Sequence, residues 1–95
     1  MSILRVNFFA FIRNITGCAE ADIEYKQTAG ALARSLCEIY GENLKEKFFP
    51  SGNYDELSTE IIMLINGRHI CHLSGLNTII KPDDRIDIFP VVAGG

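Results

Sequence analysis

A chain of 95 residues is long enough for one domain and too short for two. Its net charge of −3 and pI near 5.2 argue against a nucleic-acid binder, which needs a basic surface to displace counterions. No apolar run approaches the roughly 20 residues of a membrane span, and the start has no basic leader before its apolar stretch, so we expect a cytoplasmic protein.

The first part of the chain predicts a hairpin. Residues 3–11 are predicted to form a strand, because apolar side chains recur at every second position from Leu4 to Ala10. Residues 12–20 are rich in turn formers, and residues 21–26 alternate again. We therefore expect two strands joined by a turn.

A helix is predicted over residues 29–40, with Thr28 as its N-cap and Gly41 as its stop. Six apolar residues fall on one side of the helical wheel. They are Ala29, Leu32, Ala33, Leu36, Ile39 and Tyr40, with Cys37 on the flank. This side is expected to pack against a sheet.

A second hairpin is predicted in the middle of the chain. Residues 42–58 are the least regular part, with no more than a short helical turn expected. The apolar run 61–65 is followed by Asn66-Gly67 and a second strand-like run, 68–73. An Asn-Gly pair between two such runs is a strong hairpin signal, because a type I′ turn needs positive φ at both positions.

The last strand is predicted at residues 85–90, after a crossing segment over 73–84. Asp83, Asp84 and Asp87 are interpreted as a turn and a solvated strand face, with contact to basic residues of a partner as the alternative. The order of elements predicts an α+β roll in which one main helix crosses a mixed sheet of four to five strands. This arrangement is the β-grasp fold, and the prediction also draws on the resemblance described below.

Residues 1–90 are predicted to form the folded domain and residues 91–95 a C-terminal tail. The tail side chains become smaller toward the end, in the order Val91, Val92, Ala93, Gly94 and Gly95. Fully extended, five residues reach roughly 17 Å, and glycine lets the walls of a channel close around its backbone. A terminal carboxylate is ionised at neutral pH and can attack the α-phosphate of ATP on an activating enzyme. We expect this carboxylate to be the working group.

Three stretches of the chain resemble the ubiquitin-like sulfur carrier family, specifically the small subunit of molybdopterin synthase and its relatives. They are VNFFAFIRNITG at the start, IIMLINGRHICHLSGLNTIIKPDDRIDIFP in the middle and FPVVAGG at the end. The likeness covers nearly the whole chain except residues 42–58. One departure is Val91, which stands where the family often has a second proline.

The resemblance implies a carrier that is not catalytic alone. An adenylating activating enzyme would act on Gly95, and a sulfur donor would convert it to a thiocarboxylate. Both ATP and sulfur would come through partner enzymes, so no cofactor is expected on the chain itself. The tail would then enter the large subunit of molybdopterin synthase, with Gly94 giving clearance. Phe89 and Pro90 would form the docking root, and Arg68 beside the Asn-Gly turn is a further docking candidate.

Other functions remain open from the sequence. The same chemistry could deliver sulfur for cysteine, thiamine or tRNA thiolation, or join the chain to lysines as a ubiquitin-like modifier. A hypothesis of another class is a plain interaction module whose terminal glycines do nothing. The acceptor is chosen by the partner, so the sequence does not separate the possible sulfur acceptors from one another or from conjugation to lysines.

No catalytic or metal-binding motif is found in the sequence. Walker, HExxH, GxSxG and GxGxxG patterns are all missing. His69, Cys71 and His72 could suggest a metal, but on a strand residue 72 points away from the other two, so no metal site is expected. The three cysteines, at positions 18, 37 and 71, form no CxxC pair, so a reducing compartment is expected. Each of them is expected to be a buried or half-buried apolar group.

Overall fold

The computed structural model describes residues 2–91, which form one mixed five-stranded sheet and three α-helices. In chain order the elements are β1 (Ile3–Phe8), α1 (Phe11–Thr16), β2 (Glu20–Glu24), α2 (Ala29–Tyr40), α3 (Glu42–Phe48), β3 (Ile61–Ile65), β4 (Arg68–His69) and β5 (Arg85–Pro90). Two short 3₁₀ turns, Ile70–His72 and Gly75–Asn77, lie between β4 and β5. The predicted α+β fold with one main helix is confirmed.

The sheet has the order β2-β1-β5-β3-β4, so the last strand in sequence lies at its centre. β5 runs parallel to β1, with Phe8 opposite Ile88, and antiparallel to β3, with Pro90 opposite Ile61. Two antiparallel hairpins, β1–β2 and β3–β4, flank this centre. The Asn-Gly turn of the second hairpin is confirmed, since Asn66 and Gly67 have φ values of 52° and 86°.

One face of the sheet and the buried face of α2 form the hydrophobic core. Alternate residues of the three central strands are almost fully buried: Leu4, Val6 and Phe8 of β1, Ile86 and Ile88 of β5, and Ile61, Met63 and Ile65 of β3. α2 contributes Leu32 and Leu36 to this core. Its N-cap is Thr28, whose hydroxyl accepts a hydrogen bond from the Ala31 N–H at 3.1 Å. In the described part of the chain no helix is long and apolar enough to cross a membrane.

The first strand is shorter than predicted, and the expected turn contains a helix. β1 ends at Phe8 because Ala10 has φ 54° and ψ −136°, which turns the chain out of the strand. α1 follows and buries Ile12 in the core. It ends at Gly17 in the left-handed conformation, which is the usual glycine signal for a helix end.

The second hairpin is also shorter than predicted. The strand expected over 68–73 is wrong beyond His69, since a 3₁₀ turn begins at Ile70. The Cys71 N–H donates to His69 Nδ1 at 2.9 Å and stabilises this turn. In the irregular region, α3 is a seven-residue helix that buries Leu44 and Phe48, which is more structure than the turn that was expected.

The predicted buried face of α2 is wrong at its C-terminal end. Ile39 is 56% exposed, whereas Cys37 is 4% exposed. α3 packs beside α2, and its Glu42 and Lys45 lie close enough to influence the Cys37 thiol, so this helix covers the flank. The prediction from the helical wheel considered only a sheet as the surface that covers α2.

A pair of substitutions in α2 tests this burial. Leu36→Ala should lower the free energy of unfolding by about 2–5 kcal/mol, because it removes buried methyl groups and leaves a cavity. Ile39→Ala should change it by less than about 0.5 kcal/mol, since that side chain is exposed. Urea unfolding followed by circular dichroism measures both, and similar losses would contradict the packing.

Candidate functional site

The root of the predicted tail lies at the end of the central strand. Pro90 is buried opposite Ile61, and the Val91 N–H donates to the Glu60 carbonyl at 2.8 Å. Val91 is 49% exposed. The predicted tail residues 92–95 lie outside the described residues. The chain therefore leaves β5 from a point that β3 and the residue before it hold in place.

Aromatic side chains surround this point. Phe89, half-buried on the sheet face away from α2, meets Phe9 edge-to-face at a ring-centroid distance of 5.8 Å. Phe9 and Phe11 are 37% and 39% exposed, and Lys47 Nζ lies 5.5 Å from the Phe11 ring centroid. Exposed aromatic rings are typical of protein contact sites. The position of Phe89 and Pro90 agrees with their predicted docking role, which stays a prediction.

A groove of about 490 Å³ runs along β5 on this outer face of the sheet. We call it the β5 groove; its lining residues are Phe9, Ala10, Leu64, Arg85, Asp87, Phe89 and Pro90. Ala10, with its positive φ, is a non-glycine residue in a sparsely populated backbone region. Such strain persists only where the surrounding structure enforces it and is often found at functional sites.

The other end of the β5 groove is polar. The Asp87 carboxylate is 5% exposed; it accepts a hydrogen bond from Asn7 Nδ2 at 2.9 Å and pairs with Arg85 Nε at 3.1 Å. The prediction that Asp87 belongs to a solvated face is therefore wrong. Leu64 and Asn7 stand in register on either side of Asp87, on β3 and β1 respectively, and these neighbours cover the carboxylate.

Arg68 lies away from the tail root. It is exposed and stands opposite Ile65, whereas Pro90 stands opposite Ile61 at the other end of β3. Ile61 and Ile65 are four residues apart, so Arg68 and Pro90 are separated by about 13 Å along the strand direction. The structure thus brings Phe89 and Pro90 together but not Arg68, whose docking role stays a prediction.

His69 and His72 are closer than the strand prediction allowed. The 3₁₀ turn places their ring centroids 6.1 Å apart. His69 Nδ1 already accepts the Cys71 N–H, and burial followed by repulsion from His72 lowers the pKa of His69. Among residues 2–91 no group of three or more metal-ligating side chains is found. A larger cavity of about 730 Å³ lies nearby, between the start of α2, residues 54–59 and residues 69–77.

The three cysteines differ in burial. Cys37 is buried, and burial raises the pKa of its thiol to about 11. Cys18 is half-buried, with its Sγ 3.8 Å from the Tyr40 hydroxyl; burial raises the pKa of Tyr40 to about 12. Cys71 is exposed, so the expectation that all three are buried or half-buried is wrong for this residue.

Sequence reasoning missed the polar part of the β5 groove. Asn7 and Arg85 were not singled out, and neither was Leu64. Their strands do show the period-2 alternation that assigns them to a face. The alternation does not show which strands are neighbours, since nothing in the two segments indicates that β1 pairs with β5.

A mixed sheet crossed by one long helix, with the last strand at its centre and a Gly-Gly sequence beyond it, defines a ubiquitin-like carrier protein. The ThiS family model matches residues 6–95. The chain belongs to the ThiS family.

Curated relatives agree with this assignment. The chain is 32% identical to "Small archaeal modifier protein 3" of Haloferax volcanii, over 97% of this chain and 98% of the relative. It is 37% identical to "Putative sulfur carrier protein" of Archaeoglobus fulgidus, over 83% of this chain and 85% of the relative. The chain is therefore placed among the ubiquitin-like sulfur carriers and modifiers.

Solved structures share the whole fold. The small archaeal modifier protein 1 of Methanosarcina acetivorans is 34% identical, with a TM-score of 0.84 over 100% of this chain and 98% of that one. "Putative molybdopterin converting factor, subunit 1" of Pyrococcus furiosus is 20% identical, with a TM-score of 0.74 over 97% of this chain and 100% of that one. At this lower identity the likeness concerns the fold alone.

The strained residue in the β5 groove gives a test of stability. Ala10→Gly should raise the free energy of unfolding by about 1 kcal/mol, because relief of roughly 1–3 kcal/mol of strain exceeds the added chain entropy of roughly 0.4–1 kcal/mol. The control Ala31→Gly, in α2, should lower it by roughly 0.5–1 kcal/mol. Urea unfolding compares the two, and a loss of stability with Ala10→Gly would show that the backbone there is not strained.

Proposed function

We propose that the chain is a sulfur carrier that works through the carboxylate of Gly95. A carboxylate oxygen attacks the α-phosphate of ATP on an activating enzyme, pyrophosphate leaves, and an acyl-adenylate forms. A sulfide-equivalent nucleophile from a sulfur donor then attacks the acyl carbon, AMP leaves, and the terminus becomes a thiocarboxylate. We place this cycle in the cytoplasm, where thiols stay reduced.

The observation that carries this proposal is the position at which β5 ends. Val91 leaves the sheet next to exposed aromatic rings, and the family match extends to Gly95. The residues from Val92 to Gly95 span at most about 14 Å when extended. A partner that reacts with Gly95 must therefore contact the domain around the tail root while it holds the tail.

The sequence indicates which parts of the reaction the chain supplies and which its partner enzymes supply. Its sequence has no Walker motif, so ATP must be bound by the activating enzyme. The small Ala93 and the two glycines after it suit a narrow active-site channel, because walls can approach closely to a glycine backbone, which has no Cβ atom. The chain supplies the reacting carboxylate and the docking surface, and its partners supply the catalysis.

For the final acceptor we propose the cyclic pterin precursor of molybdopterin, bound by the large subunit of molybdopterin synthase. The sequence resemblance of the FPVVAGG end and of the Asn-Gly hairpin supports this choice. Sulfur transfer breaks the bond between the acyl carbon and sulfur and returns the Gly95 carboxylate after hydrolysis. Delivery to cysteine, thiamine or tRNA would use the same thiocarboxylate.

A second candidate function is conjugation to other proteins. Proteins named small archaeal modifier proteins are 32% and 34% identical to this chain over nearly its full length. In this function the activated carbonyl of Gly95 is attacked by a lysine ε-amine, and an isopeptide bond forms as the activating group leaves. Both functions share the adenylation step and differ only in the final nucleophile.

Extension of the chain by one alanine after Gly95 should abolish thiocarboxylate formation, because the reacting carboxylate moves out of the position to which the tail delivers it. Intact-mass spectrometry after incubation with the activating enzyme, ATP and a sulfur donor detects the replacement of one oxygen by sulfur. An alanine added before Met1 is the control and should leave the modification unchanged. If the C-terminally extended chain still gained sulfur at its end, the proposed mechanism would be wrong.

The acceptor is tested with the thiocarboxylated chain itself. Incubation with the large synthase subunit and the cyclic pterin precursor should give the dithiolene product and regenerate the unmodified carboxylate. In parallel, proteolytic digests of cells that express the chain are searched by mass spectrometry for lysines that carry the tail through Gly95. Lysine adducts without pterin turnover would replace the molybdopterin proposal with the modifier function.

A further inference from the structure

The ion pair in the β5 groove joins a buried carboxylate to a largely exposed guanidinium. Asp87 is buried but Arg85 is 69% exposed, and exposed ion pairs typically contribute about 0–1 kcal/mol. Replacement of a buried ion pair by apolar residues is often neutral or stabilising. The Asn7 side-chain amide also donates a hydrogen bond to the Asp87 carboxylate. Both side chains lie on the outer face of the sheet, where packing of the core does not require polar groups. Because an apolar replacement would serve folding as well, the polar arrangement points to recognition.

The arrangement leaves one edge of the Arg85 guanidinium available. Its Nε is the atom that approaches Asp87, and within residues 2–91 its two Nη atoms make no hydrogen bond. A guanidinium has five N–H donors in a planar fork, and the Nη edge fits a second carboxylate in a bidentate manner. Asp87 thus fixes the orientation of a side chain whose outer edge is ready to bind an anionic group.

The other arginine on this face is already occupied. Arg5 stands beside Arg85 in register across β1 and β5. It donates to Asp22 at 2.7 Å and lies 3.5 Å from Glu20, so two carboxylates compensate its charge. Arg85 has one carboxylate partner in the described residues, and that one holds only the Nε side. Of the two arginines that β1 and β5 contribute within residues 2–91, Arg85 is the one whose outer edge has no partner.

The β5 groove connects the tail root to this arginine. The β5 groove begins at Pro90, beside the tail root, and continues to Arg85 along the same strand. An enzyme that reacts with Gly95 works within about 14 Å of Val91. Its surface therefore lies over the apolar half of the groove. Arg85 stands five residues from Pro90, about 17 Å along β5, and an interface of roughly 800 Å² per partner is wide enough to span that distance.

We propose that Arg85, oriented by Asp87 and Asn7, is a specificity-determining contact that binds a carboxylate of the activating enzyme, while an apolar side chain of that enzyme enters the groove between Phe9 and Phe89. The proposal rests on the proposed function, since it assigns a partner to the same tail. The apolar contact supplies binding area, and the charged contact selects the partner, because an enzyme with a cation at this position is repelled.

Charge reversal at Arg85 tests the proposal. The full-length chain is assayed with the activating enzyme of the same cell by ATP–pyrophosphate exchange, with the carrier concentration varied. Arg85→Glu should raise the KM for the carrier roughly ten- to a hundredfold with kcat nearly unchanged. Arg34→Glu is the matched control, because Arg34 lies on α2 with a similar exposure of 61% and should keep the wild-type KM. Arg85→Gln should give an intermediate KM.

Three further measurements separate docking from structure. Thermal unfolding shows whether Arg85→Glu remains folded, and Arg85→Gln supplies the comparison in case it does not. The wild-type KM should rise with ionic strength more steeply than that of Arg85→Gln, since salt screens a charged contact. An enzyme variant with a lysine in place of the contacting carboxylate should restore the KM of Arg85→Glu.

The outcomes distinguish this proposal from the one on which it rests. If the wild-type chain is adenylated and Arg85→Glu has the same KM, the Arg85 contact is wrong and the carrier function stands. A lower kcat with unchanged KM also overturns the contact, because it would place the effect after binding. If the wild-type chain forms no adenylate, the carrier function itself fails, and the Arg85 proposal fails with it.

Discussion

The parallel pairing of β1 with β5 is the constraint on which the rest of the structure depends. It places the last strand between β1 and β3, where hydrogen bonds on both sides and the core beneath hold it. The root of the tail is therefore fixed at the centre of the sheet edge rather than at a loose end. The same pairing sets Phe9 and Ala10 beside Phe89 and Pro90, which creates the apolar half of the β5 groove.

The two faces of the sheet have different tasks because the helices cover only one of them. α2 and its neighbours bury the Leu, Val, Phe and Ile side chains of the inner face, and this burial supplies the stability of the domain. The outer face is left with aromatic residues near the tail and with Asn7, Arg85 and Asp87 farther along β5. The strained Ala10 and the buried Asp87 carboxylate both lie along this outer face, apart from the apolar core.

A carrier of this kind separates reactivity from specificity. The chemistry of a terminal glycine is the same whether the acceptor is a pterin, a thiol precursor or a lysine, so the tail does not choose among them. Under the proposed function the docked partner chooses the acceptor, and a reach of about 14 Å brings each partner onto the surface around Val91. Membership in the ThiS family and identity to both modifier and sulfur carrier proteins fit this separation, because one fold serves several acceptors.

Local signals in the sequence determined most of the elements and their faces. The capped helix after Thr28, the Asn66-Gly67 turn and the alternation in the central strands were all recognisable, because caps, turns and periodicity depend on residues close in sequence. The tail motif was equally local. Only the tertiary structure decided where β1 ends, which flank of α2 is buried and that Asp87 is covered. Each of these depends on contacts between distant segments: Ile12 reaches the core, α3 covers Cys37, and Asn7 lies beside Asp87 across 80 positions of sequence. A period of two assigns a side chain to a face, but only the pairing of strands tells which side chains that face brings together.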